Sequence, residues 1–115
     1  MAISEAFQNS GTITTTEHFL ASNSTTKTDQ TDDGVYQCFL ELSNLVAGDE
    51  YRIRVYERIS SGGTARVVME WVVAGAQSEP NWVTPSLILL HGWEFSLQKL
   101  AGTDRSIAWS IRKIA

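Results

Sequence analysis

Hydrophobicity along this chain has a period of two. Short runs alternate apolar and polar residues, Gly, Asp, Asn, Ser and Thr separate them, and no convincing helical period interrupts. The clearest runs are 35–42, 51–59, 66–73, 93–100 and 107–114. Successive side chains of a strand point to opposite faces, so alternation places one face of each run in a core and the other toward solvent or a partner. Seven or eight such strands at roughly ten-residue spacing predict an all-β protein, an antiparallel β-sandwich or jelly roll.

The phase of each run assigns its faces. Tyr36, Cys38, Leu40 and Leu42 point one way and Gln37, Phe39 and Glu41 the other. Tyr51, Ile53, Val55 and Ile59 oppose Arg52, Arg54, Tyr56 and Arg58. Gly62-Gly63 lies between this run and the next, as in a hairpin loop. The partner run places Val67, Met69, Trp71 and Val73 inward and Arg66, Val68, Glu70 and Val72 outward. Trp93, Phe95 and Leu97 face in with Glu94, Ser96 and Gln98 out, and Ile107, Trp109 and Ile111 face in with Ser110 and Arg112 out.

Two regions break the rhythm. Residues 1–11 are polar and weakly patterned and read as an N-terminal arm, leaving 12–115 as a single sandwich domain. Ser and Thr supply 11 of the 22 residues from Ser10 to Thr31; within this stretch 12–20 suits a strand and 21–31 a long exposed loop. Pro85 belongs at the start or edge of a strand, and Leu87–Leu90 is too apolar to alternate. That stretch is expected to be covered on both faces or to lie against a neighbouring subunit.

At 115 residues the chain fits one domain, and its 43% hydrophobic content suits a packed core. The single Cys38 lies on an inward phase and reads as a small core residue; one cysteine forms no internal disulfide. The longest strictly aliphatic run is Leu87–Leu90, far short of the ~20 residues of a membrane span, so no membrane partner and a soluble, cytoplasmically made protein are expected. A net charge of −4 argues against nucleic acid as a partner. The charge is uneven: eight acids and one base up to Glu50, then five acids and eight bases. Interleaved strands would mix these charges, whereas segregated ones would make a bipolar particle.

No phosphate loop, nucleophile elbow, CxxC or HExxH motif is present, and His18 and His91 lie far apart, so no catalytic residue, cofactor or metal is expected. Asp29, Asp32 and Asp33 flank a loop but lack the spacing of a calcium-binding loop and read as turn acids. Trp71, Trp93 and Trp109 occupy inward phases. A carbohydrate-binding module would need Trp82 or Trp93 exposed. Trp82 follows Pro80-Asn81 in a loop-like stretch, and Phe39 and Tyr56 lie on outward phases, so these aromatics are candidates for a protein contact. Val83, Leu87 and Leu89 from the apolar stretch and Arg52 and Arg54 from the outward arginines complete the candidate partner-binding set.

Four stretches carry a resemblance: Thr31-Asp-Asp-Gly-Val-Tyr-Gln, Ala47-Gly-Asp-Glu-Tyr-Arg-Ile-Arg-Val-Tyr-Glu, Leu90-His-Gly-Trp-Glu-Phe-Ser-Leu-Gln-Lys-Leu and Ala101-Gly-Thr-Asp-Arg-Ser-Ile-Ala-Trp-Ser-Ile-Arg-Lys-Ile. From Thr31 onward the chain resembles small proteins encoded in the structural modules of tailed bacteriophages. The resemblance implies a non-enzymatic virion protein: a capsid decoration or cement protein that binds the major capsid or another virion protein, with a homotrimer favoured. A neck, tail or fibre component is the alternative within the particle.

Overall fold

In the computed structural model, which describes residues 2–114, nine strands form two antiparallel sheets. They are β1 (Ile3–Ile13), β2 (His18–Phe19), β3 (Gly34–Glu41), β4 (Glu50–Glu57), β5 (Arg66–Ala74), β6 (Asn81–Val83), β7 (Leu87–Leu89), β8 (Trp93–Ala101) and β9 (Arg105–Ile114). Sheet A runs β1-β9-β3-β6 with β7 also on β3, and sheet B runs β2-β8-β4-β5. The ladders nest: β1 pairs with β9, β2 with β8, β3 with β6 and β7, and β4 with β5. Such a long hairpin folded over on itself is a jelly roll. The count is nine because one edge strand is broken. Thr84, just after β6, gives its N–H to the Cys38 carbonyl, while its hydroxyl accepts the Cys38 N–H, both at 3.0 Å. Pro85 then interrupts the ladder before β7.

The inward phases of β3, β4, β8 and β9 meet in one core. Trp93 is fully buried, its ring 4.3 Å from that of Tyr36 across the sheets, and Trp109 donates its indole N–H to the Leu20 carbonyl. Cys38 is buried among them, and burial pushes its thiol pKa up.

Four expectations need correction. Residues 3–11 are not an arm: they belong to β1, which pairs with β9 from Ile3 to Ile13, bulged between Glu5 and Phe7. Backbone pairing holds this strand more than side-chain burial does, which is why its sequence carries so little pattern. The 12–20 run is divided, ending sheet A at Ile13 and resuming in sheet B at His18, because the chain crosses between layers there. Leu87–Leu90 does alternate: Ile88 is 83% exposed between half-buried Leu87 and buried Leu89. Val67 is not inward. Met69 opposes Val55 but Val67 opposes Tyr56, so Val68 is an extra residue that flips the phase of the strand end.

The stretch 21–31 crosses the outer face of sheet B, six of its residues half-buried and five exposed. Glu94 has the predicted outward phase yet no exposure, because its carboxylate accepts the N–H groups of Ala21, Ser22 and Phe95 and the Ser22 hydroxyl. Asp29 anchors the same stretch through Lys27 and Arg58, both at 2.6 Å. Asp32 accepts from Tyr36 and Lys113, so two of the three turn acids serve as internal struts.

Two carboxyls here move in opposite directions. Asp49 is held down at about 2, first by the Thr103 and Val46 N–H groups and then by Arg105. Its stabilisation is complete above its ordinary value of 3.8 and is lost as the pH falls through 2. Glu94 is raised above 4.5 by burial, against the pull of its N–H donors. Its stabilisation is present below 4.5 and is lost as the pH rises through its folded value. Denaturant unfolding across pH 2–8 is therefore expected to show a flatter acid limb in Asp49→Asn and a flatter slope above pH 4.5 in Glu94→Gln. Unchanged slopes in both variants would contradict these assignments.

Candidate protein-contact surface

Cross-strand register arranges the outer face of sheet A in rows. One row is entirely β-branched and aliphatic: Ile3 opposes Ile114, Ile114 opposes Val35, and Val35 opposes Ile88. It crosses β1, β9, β3 and β7, and both ends lie open, Ile3 at 72% exposure and Ile88 at 83%. The next row is polar, with Glu5, Arg112 and Gln37. The third carries Gln8, Ser110, Phe39 and Val83.

Two adjoining shallow depressions, of about 490 and 210 Å³, follow these rows. Phe39 and Arg112 line both. The Arg112 guanidinium carbon stands 3.9 Å from the centre of the Phe39 ring, and its Nε donates to Ser110 Oγ at 3.2 Å. Ser110 Oγ in turn donates to the Glu5 carboxylate. An arginine face on an aromatic ring exposes an apolar plane edged by N–H donors.

The outer face of sheet B is different. Arg54 pairs with Glu70 at 2.7 Å and approaches Glu17 at 3.9 Å. Tyr56 donates to Glu17 at 2.8 Å and packs edge-on against Phe19, and its hydroxyl pKa is raised chiefly by burial. Arg52 reaches Gln98 while its Nε is buried without a hydrogen-bond partner. Side chains of this chain thus occupy much of the donor and acceptor capacity of this face.

The predicted contact residues therefore divide. Phe39 and Val83 lie opposite each other on the open face of sheet A, with Val83 43% exposed. Arg52, Arg54 and Tyr56 lie on the other side of the molecule, within the sheet B network. Leu89 is 3% exposed and packs in the core, so it is not a surface contact. Leu87 is half-buried against that core. Trp82 is not in a loop: it lies on β6, half-buried, its ring 5.3 Å from that of Trp71 at the open side of the sandwich. Neither Trp82 nor the fully buried Trp93 forms an open stacking platform. Sequence reasoning missed Ile3, Val35 and Ile114, and it included Ile88 only as part of the 87–90 stretch. Each is an ordinary strand residue by itself, and only the register joins them.

The opposite charges of the two halves are mixed by the fold. Arg54–Glu17, Arg58–Asp29, Arg105–Asp49 and Lys113–Asp32 all pair a base after Glu50 with an acid before it. This is the interleaved outcome rather than a bipolar particle.

No family model and no curated protein matches the chain. Among solved structures, it is similar to Bacillus endospore appendages that "form a novel family of disulfide-linked pili", at 16% identity and a TM-score of 0.49, over 97% of this chain and 86% of that one.

Proposed function

We propose that this chain is a non-enzymatic structural protein that docks on a protein surface through the outer face of sheet A. In the reading that its sequence resemblance implies, that surface belongs to a tailed-phage virion, and the chain decorates the head as a cement protein. The observation that carries the docking face is the aliphatic row Ile3–Ile114–Val35–Ile88, which crosses four strands and is left uncovered at both ends. Contiguous apolar surface of this kind marks interaction sites. The same resemblance favours a homotrimer, and a trimer is proposed on that basis.

The test is cosedimentation of the purified chain with heads of the phage that encodes it, alongside its mass in solution by light scattering. Saturable binding and a trimeric mass are expected. Failure to cosediment at any concentration would overturn the head-decoration reading, and a monomeric mass would overturn the trimer.

A further inference from the structure

Among the described residues, seven of the nine lysines and arginines make an ion pair within the chain; Arg66 and Arg112 do not. Arg66 stands exposed at the start of β5. Arg112 is held in place. Phe39 lies against its guanidinium plane and Ser110 takes its Nε. Glu5, its cross-strand neighbour, is engaged by Ser110 and makes no ion pair with it. Orientation is thus supplied and a carboxylate is not, which leaves the fork of terminal N–H groups open. Such a fork matches a carboxylate in two parallel hydrogen bonds.

The surroundings narrow the ligand. Alternate residues along a strand lie about 6.8 Å apart, so the aliphatic row and the Phe39–Val83 row flank Arg112 at that spacing on either side. An extended segment laid along these strands has the same period. With its acid over Arg112, its side chain two positions to one side falls on the aliphatic row, and the one two positions to the other side falls by Phe39 and Val83 at the β3–β6 end of the third row.

We infer that Arg112, stacked on Phe39, receives a glutamate or aspartate of an extended partner segment with the pattern aliphatic-x-acid-x-aliphatic. The inference rests on the docking face proposed above and names what that face recognises. The aliphatic row on one side and the Phe39–Val83 pair on the other favour a protein carboxylate over a phosphate, which brings no aliphatic neighbours at this spacing.

The experiment uses the full chain, labelled with nitrogen-15, and acetyl-Lys-Val-Thr-Glu-Thr-Val-Lys amide as probe. Two control peptides replace the glutamate with glutamine or move both valines next to the glutamate. Chemical-shift changes are expected at the amides of Phe39, Val83, Arg112 and Ile114 and at the Arg112 Nε–H. Each control is expected to bind about tenfold more weakly. Arg112→Gln, at an exposed position, is expected to keep the fold and lose the preference for glutamate over glutamine.

Equal affinity for all three peptides, shifts confined to another face, or no binding of the probe at millimolar concentration would overturn the inference. Self-association that shifts the same amides without peptide would overturn it in favour of a second copy as occupant. Any of these leaves the docking face itself to be judged by the attachment of its own variants to heads, so the two failures are distinguishable.

Discussion

Replacing Trp93 with alanine is expected to lower the unfolding free energy by about 3–5 kcal/mol, the range for deleting a large buried aromatic. Trp93 is fully buried on β8, yet its ring contacts reach beyond its own sheet. Tyr36 of β3 lies at 4.3 Å, Phe7 of β1 meets it edge-on at 6.2 Å, and Phe95 packs beside it at 5.8 Å. Its indole N–H also holds the Asp32 carbonyl at 2.9 Å, fixing the turn that enters β3. The substitution thus opens a cavity between the layers and removes one of the two donors of the Asp32 carbonyl, leaving the Tyr36 hydroxyl to hold it alone. Denaturant unfolding followed by circular dichroism measures the loss, and a value below about 1 kcal/mol would show that the two sheets do not depend on this ring.

Gly102→Ala is expected to cost about 2–5 kcal/mol, the sum of backbone strain and a forced contact. Gly102 adopts φ +90°, a conformation that L side chains rarely take. An added Cβ would lie 2.3 Å from Asp49 Oδ1 and 2.6 Å from the Asp49 Cα, so a side-chain rotation alone gives no relief. Asp49 is the brace of this end of the sandwich: it accepts from Val46 and Thr103 N–H and from Arg105 Nε, joining the 46–49 turn to the 102–105 turn. Gly48 supplies the control. Its φ of +93° is equally demanding but nothing lies within 4 Å, so Gly48→Ala is expected to show the strain alone, about 1–2 kcal/mol. Equal losses in the two variants would mean that the Asp49 contact relaxes freely.

The core strands were legible because alternation and burial coincide in β3, β4, β8 and β9. Each has one face against the other sheet, and the inward phases of Tyr36, Ile53, Phe95 and Trp109 follow directly. Legibility fails where that coincidence fails. β1 is an edge strand with little buried side-chain area, so its residues look like an arm. The extra residue at Val68 shifts the phase of β5 without any glycine or proline to announce it. Glu94 looks like an ordinary outward acid, since its cover comes from residues more than seventy positions away.

The contact surface was legible in part for the same reason. Phe39 could be placed on an outward face, but Arg52, Arg54 and Tyr56 share that description on the opposite sheet, and Val83 entered only through its apolar stretch. Ile3, Val35, Ile88 and Ile114 become one row only after four strands from distant parts of the chain are placed in register.

Attachment through sheet A, as proposed, means that a charge placed on that face weakens binding where the same charge placed elsewhere does not. Ile88 lies on the aliphatic row; Val72, 51% exposed, lies on the outer face of sheet B. Attachment of Ile88→Asp, Val72→Asp and the unaltered chain to phage heads would be compared by cosedimentation across a concentration series. Ile88→Asp is expected to weaken attachment by roughly 30-fold or more, as for an acid forced into a dry contact, with Val72→Asp close to the unaltered chain. Full attachment by Ile88→Asp, or loss with Val72→Asp alone, would contradict the assignment of the docking face.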